Sequence, residues 1–356
     1  MDYRTLFSDR RWRNSLINKM KAYIKALSYY LPDTVLTNAK LVEEFPEWTV
    51  EKIANKVGIK ERHISGKNET AVDMAVKAAE RLFEENDISK DSIDFILFCT
   101  QSPDYFLPTS ACLIQDRLQL PTKIGALDYN LGCSGYVYGL SLCKGLILGG
   151  IAQNVLLITS ETYTKHIHPR DKGNRTIFGD AASATLVSAE GKIEIGNFSL
   201  GTDGKGAENL IIKTGASRNP TKENDLNYDE NGNPISSDFL YMNGVEIFNF
   251  TLDTVPLLIN ETLFKNSLHK ENIDLFVFHQ ANQYIIDFLR KKLKIEKDKF
   301  YIYLEKVGNT VSSTIPIALY EAGKEGRLCG NICLAGFGVG YSWGGVILKC
   351  NFEKTL

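Results

Sequence analysis

Residues 124–148 read IGALDYNLGCSGYVYGLSLCKGLIL. The opening run, Ile124 to Tyr129, suits a strand. Gly132-Cys133-Ser134-Gly135 turns the chain, and the residues that follow predict a helix to about Leu148. Cys133 thus stands at a helix N-terminus, where unpaired N–H groups and aligned peptide dipoles lower a thiol's pKa and favour the thiolate. The flanking glycines let other atoms approach closely. Cys133 therefore reads as a candidate nucleophile. Burial as a small apolar side chain is the ordinary alternative.

The same alternation extends outward. Upstream lie a strand at 22–31, a helix over Asn68–Asn86, a buried apolar strand in DFILFCT (94–100) and a helix opened by Pro108. Downstream, NVLLITS (154–160) reads as a buried strand, 243–265 as a long amphipathic helix and DLFVF (274–278) as a buried strand ending at His279. A helix then runs through Leu293, another covers 312–322, and ICLAGFGVGYSWGGVILKC holds two strands around a Gly-rich turn. Strand and helix in alternation predict a layered α/β fold. Each half contains a strand, a polar residue at its end and then a helix, which hints at an internal duplication. The polar stretch 216–238 predicts a long surface loop, either an inert connection or a flap beside a site.

His279 ends a buried strand, where parallel sheets place ligands; a satisfied cap residue is the alternative. Asn309, in VGNTVSST, follows a glycine before a helix and reads as a second candidate or as a turn residue. The GFGVG run lacks the helix that a phosphate-binding GxGxxG requires. Seven cysteines with no CxxC pair argue against a zinc site and predict free thiols. With 41 basic and 43 acidic residues, the chain shows no footprint for nucleic acid. No apolar run reaches membrane-spanning length, and the first twenty residues lack the apolar core of a signal peptide. A cytoplasmic protein is expected.

Six motifs in order give the chain a family likeness: GIKERHIS (58–65), DYNLGCSGYVYGL (128–140), TIFGDAASA (176–184), FHQAN (278–282), VGNTVSST (307–314) and GFGVGYSWG (336–344). The chain resembles ketoacyl-acyl-carrier-protein synthase III, a condensing enzyme of the thiolase superfamily, from about Met20 to Phe352. The resemblance implies a thiolase-like fold of two similar βαβαβ halves, residues 20–190 and 191–356, with central helices between two mixed sheets. Residues 1–19 are expected to be an extension outside the fold. It implies a catalytic triad of Cys133, His279 and Asn309, and an oxyanion hole made by the backbone N–H groups of Cys133 and Val339. The implied reaction is decarboxylative condensation of an acyl thioester, expected to be acyl-CoA, with malonyl-acyl carrier protein, in fatty-acid biosynthesis. No cofactor is implied. Asn309 stands where elongating synthases have a second histidine, and 336–344 lacks the second cysteine of thiolases. A hydroxymethylglutaryl-CoA synthase, a non-condensing acyltransferase of a secondary-metabolite or surface-sugar pathway, and a silent partner of an active homologue stay open on these residues.

Further expectations come with the likeness. The Trp and Arg that usually clamp the CoA adenine are read as Lys52 and Lys56, which become the expected CoA and pantetheine contacts. The Arg that usually follows HQAN is Tyr284, and a Gly of the C-terminal turn is Val339. A homodimer is expected, with strands near Val155–Ser160 pairing across the two-fold axis and Leu107 reaching the partner's acyl pocket. The acidic carrier protein is expected to dock on Arg290, Lys291, Lys292 and Lys294.

Overall fold

Strand β4 (Phe95–Cys99) is flanked on both sides, pairing in parallel with β5 (Gly125–Tyr129) and β6 (Asn154–Glu161). The computed structural model describes residues 21–230 and 232–350; the expected extension, 1–19, lies outside the described residues. Strand β6 continues antiparallel to β7 (Ala181–Ser188), and β7 to β1 (Tyr23–Tyr30). The second half repeats this order and polarity. There β9 (Leu275–Phe278) runs parallel to β10 (Gly330–Gly338), which is antiparallel to β11 (Ser342–Cys350), which is antiparallel to β8 (Ile193–Thr202). A parallel bridge between Phe276 and Phe300 adds the counterpart of β5. The halves join where Tyr23 and Ile24 of β1 pair with Glu194 and Ile193 of β8. The same strand order thus occurs twice, although the two stretches share little residue identity.

Side-chain alternation along the strands assigns the layers. Leu97, Val155 and Leu157 point to one face, Ile96, Phe98, Leu156 and Ile158 to the other. The first set meets helices α5 (Gly135–Leu148) and α8 (Thr314–Lys324), which lie between the halves and also touch Ile332, Leu334 and Val346 of the second half. These are the central helices of the thiolase-like fold. The second set packs on α3 (Ala71–Asn86) and α4 (Ser110–Arg117). On the far side, α1 (Asn38–Glu44), α2 (Val50–Val57), α6 (Gly244–Lys265) and α7 (Gln283–Lys292) cover Phe276, Phe278, Cys333 and Ile347. Helix α3 begins at Ala71, three residues later than the pattern suggests, because Thr70 and Asp73 close a capping box. Strands β2 (Thr34–Thr37) and β3 (Glu61–Ile64) form a separate two-stranded antiparallel sheet.

One expectation fails here. Residues 155–160 cannot pair with a second chain, because β6 is bonded to β4 and β7 along both edges. The open edge of this half is β5. All seven cysteines are free thiols. Among the described residues no helix is long and apolar enough to cross a membrane.

Candidate active site

Four chain turns meet at the carboxyl ends of the parallel strands: the start of α5, the β9–α7 turn, the loop before α8 and the β10–β11 turn. They enclose a cavity of about 370 Å³ lined by Cys133, His279, Asn309, Phe178, Phe337 and Gly338, among others. Residues 146 and 30 positions apart in sequence are thereby brought to one pocket.

Cys133 is only 6% exposed. The backbone N–H groups of Val339 and of Cys133 itself favour the thiolate at this sulfur. The expected thiolate is nevertheless not the resting form. Burial, and then the Glu161 carboxyl once it has ionised, push the thiol up to about 12 and outweigh the two N–H groups. Gly338 shapes this contact: a Cβ there would lie 2.8 Å from the Cys133 Cβ and 2.9 Å from its sulfur.

His279 is fixed at the end of β9 by its N–H, which donates to the Ala335 carbonyl at 2.8 Å. Its Nδ1 lies 2.7 Å from the Thr314 hydroxyl, which can itself donate to the Val311 carbonyl at 3.1 Å. A hydroxyl can accept from Nδ1–H or donate to bare Nδ1, so the ring can present either a lone pair or an N–H at Nε2. Burial pulls the imidazole down to about 3, against a smaller opposite pull from the Val311 carbonyl. His279 is neutral at physiological pH. Asn309 follows Gly308, whose φ of +71° and closeness to the Ile177 carbonyl exclude a side chain. The Asn309 Oδ1 accepts from the Val311 N–H at 2.9 Å. Its amide NH₂ is the group left to face the cavity.

Two residues were missed in the sequence. Glu161 is wholly buried, accepts from the Gln101 N–H at 3.0 Å and the Ser102 hydroxyl at 3.0 Å, and is pushed up to about 8 by burial. Its place at the end of β6 is the signal that singled out His279 on β9. The other is Trp48, whose ring lies 5.5 Å from the Lys52 ammonium and 5.2 Å from that of Lys56. Trp48 and Lys56 line a second cavity of about 650 Å³, whereas Lys52 does not. Met242 and Gly244 line both cavities, so the two adjoin.

The remaining expectations divide. Leu107 is 82% exposed, beside exposed Tyr105 and Phe106, and lines neither cavity of its own chain. Arg290 is turned inward, its guanidinium donating to the Ile295 carbonyl at 3.0 Å, and Lys292 donates to the Leu252 carbonyl at 2.8 Å. The four basic residues therefore do not present one free patch; Lys291 and Lys294 are the exposed pair that no such bond ties down. Tyr284 sits at the pocket mouth against Phe248, ring centroids 5.6 Å apart.

Residues 127–204 match the family model described as 3-oxoacyl-[acyl-carrier-protein] synthase III, and residues 263–350 match the model of its C-terminal part. A beta-ketoacyl-[acyl-carrier-protein] synthase III of Clostridium perfringens is 37% identical over 323 residues, 90% of this chain and 96% of that one. The chain belongs to the beta-ketoacyl-[acyl-carrier-protein] synthase III family. A Fusobacterium nucleatum synthase III is 33% identical over 337 residues, covering 92% of this chain and 98% of its own. A crystal structure of a 3-oxoacyl-(acyl-carrier-protein) synthase III superposes with a TM-score of 0.90 at 50% identity, over 93% of this chain and all of the other. The enzyme is thus a condensing acyltransferase with the thiolase-type fold of its relatives.

Proposed function

We propose that the enzyme joins a CoA-linked acyl primer to malonyl-acyl carrier protein, with loss of CO₂, through an acyl group carried on Cys133. The observation that carries this reading is the shared pocket of Cys133, His279 and Asn309, adjoining a larger cleft with an indole and a lysine at its wall.

In the first half-reaction the Cys133 sulfur attacks the primer carbonyl, and the oxygen takes up negative charge between the N–H groups of Cys133 and Val339. The thiol gives up its proton only as the C–S bond forms. Neutral His279 accepts that proton and returns it to the departing CoA sulfur, so CoA leaves as the thiol. In the second, the bond to the malonyl carboxylate breaks and CO₂ departs. Its electron pair moves into an enolate whose oxygen accepts from His279 Nε2–H and the Asn309 amide. The enolate carbon attacks the acyl carbonyl, a C–C bond forms, the bond to Cys133 breaks, and one proton from solvent restores the thiol. Atoms and electrons balance across the two half-reactions without a redox step.

The same reading makes the enzyme a cytoplasmic homodimer. The open β5 edge and exposed Tyr105, Phe106 and Leu107 support a second copy there, with Leu107 in the partner's acyl pocket. The repeated strand order supports division into halves after residue 190. Carrier docking falls to Lys291 and Lys294, since Arg290 and Lys292 are held by the Ile295 and Leu252 carbonyls. The test is intact mass after mixing with acyl-CoA, then CO₂ release on adding malonyl-carrier protein. Wild type should gain one acyl group and Cys133→Ala none; an acylated Cys133→Ala protein refutes the reading.

A further inference from the structure

Gln101 lies just past the end of β4, at the carboxyl edge of the parallel strands where the site is built. Its side-chain amide is bonded at both ends. The oxygen accepts from the Tyr163 hydroxyl, and the NH₂ donates to the Asn130 side-chain oxygen at 2.9 Å. Its backbone N–H donates to both carboxyl oxygens of Glu161, at 3.0 and 3.1 Å. One of those oxygens also accepts from the Ser102 hydroxyl at 3.0 Å. Burying a carboxyl is costly unless hydrogen bonds compensate, and the donors that hold Glu161 both come from the Gln101–Ser102 segment. A side-chain amide with its oxygen and its nitrogen both engaged has one orientation. Tyr163, which fixes the oxygen, is itself packed on Phe178 of the pocket wall, ring centroids 5.4 Å apart.

The fixed amide backs the turn that leads into the nucleophile. Its NH₂ holds Asn130, the residue that follows β5. Its oxygen crowds Gly132: a Cβ there would lie 2.7 Å from the Gln101 oxygen and 2.6 Å from Val339 Cγ1. Gly132 therefore sits in a slot formed by Gln101 and Val339. The peptide that leaves Gly132 ends in the Cys133 N–H. Val339 carries the other N–H that receives the oxyanion. Gln101 does not line the pocket of Cys133, so it acts through the turn and not on the acyl group.

We propose that Gln101 is a positioning residue for acylation: gripped by Glu161 and Tyr163, it holds the Asn130–Gly132 turn in place and thereby sets the spacing of the Cys133 and Val339 N–H groups. This rests on the functional reading above, and it gives the buried Glu161 a task that the reaction itself does not. Oxyanion donors act only when they are aimed where charge develops, so a displaced turn slows the chemical step and leaves ground-state binding alone.

The experiment measures single-turnover acylation against acyl-CoA concentration in wild type, Gln101→Met, Tyr163→Phe and the double variant. Gln101→Met keeps the bulk of the side chain and loses both amide bonds. Tyr163→Phe keeps the ring on Phe178 and loses one of them. Gln101→Met should lower the limiting rate by about tenfold to a hundredfold, up to the cost of a displacement near 1 Å, with the half-saturating acyl-CoA concentration unchanged. Tyr163→Phe should lower the limiting rate less. The double variant should be no slower than Gln101→Met, because both changes act through one amide. A folded Gln101→Met protein with the wild-type limiting rate overturns the proposal, and so does a double variant in which the two losses multiply. If Gln101→Met does not fold, Tyr163→Phe decides, and an unchanged limiting rate there overturns the proposal. A wild type that gains no acyl group overturns the functional reading itself, and the proposal with it.

Discussion

Replacing Gly338 by alanine tests the geometry at the nucleophile most directly. The added Cβ would sit 2.8 Å from the Cys133 Cβ and 2.9 Å from its sulfur. Unstrained carbon contacts lie at about 3.5–4.0 Å, so the two elements must part by about 1 Å. Retreat is restricted on both sides. Two residues back, Gly336 already packs so closely on the start of α5 that a Cβ there would be 2.9 Å from the Cys133 carbonyl oxygen and the Ser134 Cα. Gly338 itself is paired with Ser342 at the end of the β10–β11 ladder. The strain must therefore move the sulfur or the Val339 N–H that faces it. Overpacking of this kind costs about 1–3 kcal/mol of stability. A displacement near 1 Å costs about a hundredfold in rate. The assay is single-turnover acylation by acyl-CoA, read by intact mass, beside urea unfolding of the same protein. Gly145→Ala is the matched control. Gly145 is an exposed position within α5 with nothing within 4 Å of a Cβ, so alanine should stabilise by about 0.5–1 kcal/mol and leave acylation unchanged. A folded Gly338→Ala protein that acylates at the wild-type rate refutes the argument.

Thr314→Val leaves His279 Nδ1 without its partner and should lower CO₂ release by about tenfold to a hundredfold, the kinetic equivalent of about 1–3 kcal/mol for an orphaned polar group; Thr314→Ser should restore it. The buried His279 stays neutral down to about pH 3, while the unfolded chain takes up its proton near 6.5. The unfolded state then holds more protons between these values, so this contribution to stability is complete above 6.5 and is lost as pH falls towards 3. His279→Gln should flatten the unfolding free energy in that window by about 1.4 kcal/mol per pH unit, measured by urea titration at several pH values. Lys291→Glu with Lys294→Glu should raise KM for malonyl-carrier protein at low salt, fading as salt is added, and spare acylation by acyl-CoA. Arg290→Ala should instead lower the urea midpoint, because its guanidinium braces Ile295; equal docking losses from both would undo that distinction.

The features legible in the sequence are those that neighbouring residues set by themselves. Helix and strand periods, the Gly132–Gly135 turn at Cys133 and the strand end at His279 depend on a few adjacent residues, and the motif order then placed the chain in its family. What the tertiary structure decided are quantities that distant residues set together. The Cys133 thiol loses its solvent, so burial overrides the helix end that the sequence emphasised. The exposed strand edge is β5, because β4 and β7 occupy both sides of β6. Arg290 belongs to a basic run in sequence, yet the carbonyl of Ile295 draws its guanidinium inward. Trp48 and Ile235 stand 187 residues apart and line one cleft only after the two halves have folded. Local pattern reports which side chains share a face. Desolvation, edge exposure and cavity shape are sums over the whole packed chain, and no short stretch of sequence contains them.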